Sequence, residues 1–229
     1  MKKISPHLYQ LELGFVNAFL IEDDASGLTL VDTGMPSRSA SVFAQIKKTG
    51  KDPRDIRRII VTHAHTDHTG SAAAISKALD IPVWAHADTA RLVEAGRPGD
   101  APLHVTPGLL NRIIYQLFIR RGGAFDAFTV ARRLVDGEVL PGGIRVIYTP
   151  GHSTGHISLL LEPDHVLLAA DICANAAGLN WSTVYEDREL GRQSILKAAR
   201  LDFDKAVFGH GGPLTRGANA RLRTKFTEA

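Results

Sequence analysis

Residues 62–70 read Thr62-His63-Ala64-His65-Thr66-Asp67-His68-Thr69-Gly70. Three histidines and an aspartate fall within six positions, directly after the short run 58–61. That run reads as a buried strand that empties into a polar loop. A loop leaving a strand can turn alternate side chains toward one point. His63 and His65 can therefore share a metal ion, while Asp67 and His68, further round the turn, reach a neighbouring position. Imidazole nitrogen and carboxylate oxygen are the donors that zinc and similar divalent ions take in catalytic sites.

Three later stretches repeat the pattern of a strand followed by a metal-binding side chain. Thr149-Pro150-Gly151-His152-Ser153-Thr154-Gly155-His156 follows a strand over 144–148. His152 is a natural third ligand beside His63 and His65. His156 reads as a supporting histidine that hydrogen-bonds its surroundings, ahead of a direct ligand. Leu167-Leu168-Ala169-Ala170-Asp171 ends an apolar strand on a carboxylate, which is costly to bury unless paired or metal-bound. Asp171 either bridges two ions or caps a turn. In Val207-Phe208-Gly209-His210-Gly211-Gly212 a strand again ends on a histidine, among glycines that let backbone approach a site closely. His210 would complete a second ion with Asp67 and His68.

Further strands are expected over 8–13, 15–21, 28–31, 82–85, 138–140, 157–161, 166–170 and 206–208. Helices are expected over 37–48, 70–79, 88–95, 187–199 and 216–226. No linker or low-complexity stretch divides the chain. The simplest architecture is one α/β domain over residues 1–229, two sheets packed on each other with helices outside. Residues 102–133 break this rhythm. Leu109, Leu110, Ile113, Ile114, Leu117 and Phe118 recur there at near-helical spacing. Three readings stand open for this insertion: an extra core helix, a helical lid that sets an apolar wall over the metals, or a homodimer interface.

Composition narrows the function classes. The chain has 229 residues, 44% hydrophobic and 22% charged, enough for one substantial core. The net charge of +3 and the short pairs Arg120–Arg121 and Arg132–Arg133 give no basic tract for nucleic acid. Cys173 is the single cysteine, so neither an intramolecular disulfide nor a thiolate metal cluster can form. It reads as a small buried hydrophobe, and a reducing, cytoplasmic setting is expected. The opening MKKISPHLYQLELG lacks the apolar core of a signal peptide, and no stretch approaches the roughly 20 apolar residues of a membrane span.

These motifs resemble those of the metallo-β-lactamase superfamily over nearly the whole chain. Its HxHxDH motif falls on His63 to His68, its GH motif on Gly151-His152, its bridging aspartate on Asp171 and its last histidine on His210. Val31-Asp32-Thr33-Gly34 resembles the family's VDTG turn, whose aspartate supports the metal loop. The resemblance implies an αββα sandwich with the site at one edge of the sheets. It implies His63, His65 and His152 on one divalent ion, Asp67, His68 and His210 on a second, and Asp171 between them. The ions would be zinc, with iron and manganese as alternatives. A hydroxide held between them would attack a carbonyl of a small-molecule ester, thioester or lactone, with Asp67 orienting it or taking its proton.

His68 together with Asp171 points to the glyoxalase II-like branch rather than the lactamases. Only 19 residues follow His210, so the glutathione-gripping helical region of glyoxalase II has no counterpart. The tyrosine that lactonases carry shortly after the bridging aspartate is replaced by Ile172, Cys173, Ala174 and Asn175, with Tyr185 further on. The rival activities are a mono-iron persulfide dioxygenase and a β-lactamase. A nuclease ranks lower, and a non-catalytic binding role lowest.

Overall fold

The computed structural model describes residues 1–23 and 27–227. The first half of the chain carries strands β1 (Lys2–Lys3), β2 (Leu8–Glu12), β3 (Asn17–Asp23), β4 (Gly27–Val31), β5 (Ile56–Val61), β6 (Val83–His86), β7 (His104–Val105) and β8 (Arg132–Leu134). Helices α1 (Ser39–Lys47), α2 (Thr66–Thr69), α3 (Ala72–Leu79), α4 (Ala87–Glu94) and α5 (Leu109–Ile114) lie between them. The second half adds β9 (Val139–Leu140), β10 (Ile144–Tyr148), β11 (Ile157–Leu161), β12 (Val166–Ala170), β13 (Val184–Tyr185) and β14 (Lys205–Phe208), with α6 (Arg188–Ala198) and α7 (Ala218–Thr227).

Side chains alternate across a strand, and here both faces of each sheet are covered. On β3, Phe19 and Ile21 join one apolar cluster and Leu20 another. The seven-stranded sheet, ordered β1-β2-β3-β4-β5-β6-β8, turns Leu20, Leu30, Ile59 and Val61 onto Val42, Ile46, Ile75 and Val93 of α1, α3 and α4. Its other face sets Phe19, Val31 and Ile60 against Val146, Leu159 and Leu168 of the five-stranded sheet, ordered β14-β12-β11-β10-β9. The outer face of that second sheet packs Leu160, Leu167 and Phe208 on Ile195, Leu222 and Phe226 of α6 and α7. The layers therefore run helix, sheet, sheet, helix, which is the αββα sandwich expected. Cys173 lies in the last cluster, fully buried.

Strand direction positions the site. β4, β5, β6 and β8 are mutually parallel, and β12 is parallel to β14. β10 runs antiparallel to β11, and β11 to β12, so β10, β12 and β14 point the same way. The motifs read from sequence all leave carboxyl ends: His63 after β5, His152 after β10, Asp171 after β12 and His210 after β14.

Two expectations change. The helix expected over 70–79 begins only at Ala72, as α3, and a separate short turn, α2, precedes it, with Gly70 and Ser71 between them. A Cβ at Gly70 would lie 2.3 Å from the Pro36 nitrogen, so the chain must pass there without a side chain. The insertion is α5 continued by a π-helical turn, Tyr115–Ile119, and it is not a core helix. Leu109, Leu117 and Phe118 are 76%, 66% and 71% exposed.

Candidate metal centre

The cluster begins where the backbone leaves β4 and β5. Asp32 takes a left-handed conformation, φ 57°, at the end of β4. Its buried carboxylate accepts the Thr62 N–H at 2.9 Å and the Thr62 hydroxyl at 2.8 Å. It also lies 2.8 Å from His68 Nδ1. With the Thr62 hydroxyl donating to Asp32, Thr62 Oγ1 accepts from His63 Nδ1 at 3.0 Å. His152 Nδ1 donates to the Val184 carbonyl and His210 Nδ1 to the Phe15 carbonyl, each at 2.9 Å. Those bonds fix the tautomers, leaving Nε2 of His63, His68, His152 and His210 as the free ligand atoms.

The ligand atoms converge on two points. His65 Nδ1 is 3.2 Å from His63 Nε2 and 3.0 Å from His152 Nε2. Nitrogens bound tetrahedrally at about 2.0–2.1 Å would stand roughly 3.3 Å apart, so the spacing suits one ion. On the other side, Asp67 Oδ2 lies 3.8 Å from His68 Nε2 and 3.4 Å from His210 Nε2. Asp171 sits between the two groups. Its Oδ1 is 3.5 Å from His68 Nε2, and its Oδ2 is 3.6 Å from His152 Nε2 and 3.2 Å from His210 Nε2. All seven residues read from sequence as candidate ligands are thus brought together, in groups whose ligand atoms lie within 4.8 Å of one another.

Electrostatics separates the groups. Burial, reinforced by neighbouring imidazoles, holds His63 and His152 well below the ordinary histidine value, and burial lowers His65. That direction favours the neutral imidazole that binds a metal. For His68 and His210 burial acts the same way, but Asp171 and Asp67 outweigh it and hold both well above the ordinary value. Burial opposes ionisation of Asp171 and Asp67, yet the imidazoles of His68 and His210 keep both carboxyls below their usual range.

His68 Nε2 and Asp171 Oδ1 are buried and make no hydrogen bond within the described residues. An unsatisfied buried polar atom costs about 1–3 kcal/mol, which coordination to a cation at that point removes. The donor set is nitrogen and carboxylate oxygen throughout, so the residues present fit divalent metal ions.

His156 is not among the converging ligands. Its Nε2 accepts the Asp171 N–H at 3.1 Å and its Nδ1 faces the Thr149 hydroxyl at 2.9 Å. Burial pushes it down to about 3, so it is a neutral post that orients the backbone of Asp171. Tyr185 is fully buried with its hydroxyl donated to the Ile172 carbonyl at 2.6 Å, which removes it as a helper at a substrate carbonyl. Sequence reading missed the carbonyls of Val184 and Phe15, since every residue carries such an acceptor and none stands out.

The ends of the insertion are tied to this site. At its start Thr106 donates its hydroxyl to the Ser182 carbonyl, and Val105 pairs with Val184, whose carbonyl orients His152. Just past its helical part the Gly123 carbonyl accepts from the hydroxyl of Thr66, between His65 and Asp67. Two clefts of about 490 Å³ flank the start of the insertion, one including His104 and Glu186, the other Asn111 and Trp181.

A family model described as the Metallo-beta-lactamase superfamily matches residues 11–210. A probable metallo-hydrolase of Bacillus subtilis (strain 168), YflN, is 28% identical, covering 96% of this chain and 89% of that protein. An N-acyl homoserine lactonase of Bacillus cereus is 30% identical, covering 84% of this chain and 79% of that one. Among solved structures, a subclass B3 metallo-beta-lactamase of Bradyrhizobium japonicum superposes with TM-score 0.72 at 24% identity, covering 99% and 90%, a likeness of fold. The match from residue 11 to residue 210 takes in every converging side chain, and on it the chain belongs to the metallo-beta-lactamase superfamily, as one of its metallo-hydrolases.

Proposed function

We propose that this protein is a binuclear hydrolase of the glyoxalase II-like branch that opens a lactone or cleaves a related ester or thioester. The observation that carries the reading is Asp171, whose carboxylate faces both histidine groups, Oδ2 toward His152 and His210 and Oδ1 toward His68. His63, His65 and His152 would hold one ion, Asp67, His68 and His210 the other, and Asp171 both. Zinc suits the donor set, with iron and manganese as alternatives. Two such ions supply Lewis acidity and an activated water. Asp67 would orient such a water and receive its proton, its carboxyl held below its usual range by the imidazoles of His68 and His210. His156 and Asp32 hold Asp171 and His68 in place. The insertion is tied beside the site, at Thr106 and Gly123. The lactone is placed first because the Bacillus cereus relative is a lactonase.

Metal quantification of the purified protein, joined to a panel of lactones, esters, thioesters and β-lactams, tests this. Two divalent ions per chain and lactone or ester turnover are expected. His63→Ala and Asp171→Ala should each abolish turnover and lower bound metal while the fold persists. A single iron with oxygen uptake on glutathione persulfide would overturn the reading, as would nitrocefin turnover matching the best ester.

A further inference from the structure

We infer that residues 109–121 seat on an anionic phospholipid surface, whatever substrate the metal centre takes. Leu109, Leu110, Ile113, Leu117 and Phe118 are exposed large apolar side chains gathered on one short helical segment. Asn111, Ile114, Tyr115 and Ile119 form its less exposed side, so the segment turns a different face to the domain. Glycines with φ 131° and 63°, Gly108 and Gly122, bound it. The anchors at Thr106 and Gly123 hold the apolar face outward.

Charge identifies the occupant. No acidic residue occurs from Ala101 to Phe125, while Arg112, Arg120 and Arg121 are exposed there. Among the described residues none of the three takes part in an ion pair, and the Arg120 side chain donates only a 3.3 Å hydrogen bond, to Gln116. Apolar anchors beside unpaired arginines are the composition of a helix that lies in a lipid interface. The α-helix and π-turn together run eleven residues, Leu109 to Ile119, about 16 Å of helix against a hydrocarbon core of about 30 Å. The segment therefore lies along the surface rather than crossing it. A second copy suits this face less well. Self-association would bring two sets of arginines together with no acidic partner in the segment.

The full-length, metal-loaded protein should sediment with equimolar phosphatidylcholine–phosphatidylglycerol vesicles and not with phosphatidylcholine alone. Each arginine near such a surface is worth about a fivefold change in partitioning, so Arg120→Gln with Arg121→Gln should weaken binding about 25-fold. Leu117→Asp with Phe118→Asp should abolish it while bound metal is unchanged. Phe118→Trp should report insertion by a blue-shifted emission on the anionic vesicles only. Equal partitioning on both vesicle types, or none on either, overturns the inference. So does a lipid-free dimer, seen by sedimentation velocity, that Leu117→Asp dissociates, because that assigns the face to a second copy.

Discussion

A Cβ added at Gly209 would lie 2.0 Å from Asp171 Oδ1 and 2.7 Å from His68 Cε1. The backbone there does not have the positive φ that favours glycine, so space alone forbids a side chain. Gly209→Ala should fold, because the strand before it is unaffected, yet push Asp171 out from between the histidine groups. Metal affinity is expected to fall about 10–100-fold, the usual effect of disturbing a metal site's surroundings. Titration with a competing chelator measures it, and wild-type affinity would show that Asp171 does not depend on this packing. The need for a small residue was legible in the glycines around His210. The seven candidate ligands were legible as well, because a histidine or carboxylate at the end of a buried apolar run is costly unless a partner or a metal holds it. The left-handed turn at Asp32 and the choice of ligand atom on each imidazole were not. Apart from His63, whose partner Thr62 is its neighbour, they depend on residues 30 or more positions away, as Asp32 does on Thr62 and His152 on Val184.

Most elements were legible because a strand buried on both faces is nearly continuous in apolar residues. β11 and β12 fall where the pattern sets them, at Ile157–Leu161 and Val166–Ala170. The two- and three-residue strands β1, β7, β8 and β13 were not, since so short a run has no periodicity to detect. The insertion shows the converse limit. Its helical period was plain, but a period does not say whether anything covers the apolar side. Between β11 and β12, Asp164 accepts the His7 N–H at 2.9 Å and lies 2.7 Å from His7 Nδ1, clipping the N-terminal strands to the second sheet. Burial opposes its ionisation, but the Ser5 hydroxyl and His7 hold the carboxyl below its ordinary value. A depressed folded value means that the unfolded chain takes the proton first. The stabilisation is therefore full above the unfolded carboxylate value and is lost as pH falls through the folded one. Asp164→Asn should cost about 1–2 kcal/mol at neutral pH. The gap should close as the solution is acidified, as read by urea denaturation at each pH. A gap independent of pH would mean that the charge on Asp164 is not its source.

At the scale of the molecule, the layer order followed from apolar runs, but the strand order within each sheet did not. β8 joins β6 across the whole insertion, and β14 lies beside β12 across α6. Those crossovers bring the carboxyl ends of distant strands to one edge. His63, His65, Asp67 and His68 arrive from the first sheet, and His152, Asp171 and His210 from the second. Ions held by both sets would tie together two sheets that otherwise meet through the apolar layer around Phe19, Ile60, Leu159 and Leu168. A ligand that binds the folded state alone stabilises it by about 4 kcal/mol when present at a thousand times its Kd. In a chain of this size each kcal/mol moves Tm by about 2–4 °C. Removing metal with a chelator should therefore lower Tm by roughly 10 °C, and restoring zinc should recover it. His63→Ala, with one of the two groups broken, should show a smaller response to the same treatment. If the metal-stripped protein melted at the temperature of the loaded one, the ions would not be joining the two sheets, and the apolar layer alone would account for their docking.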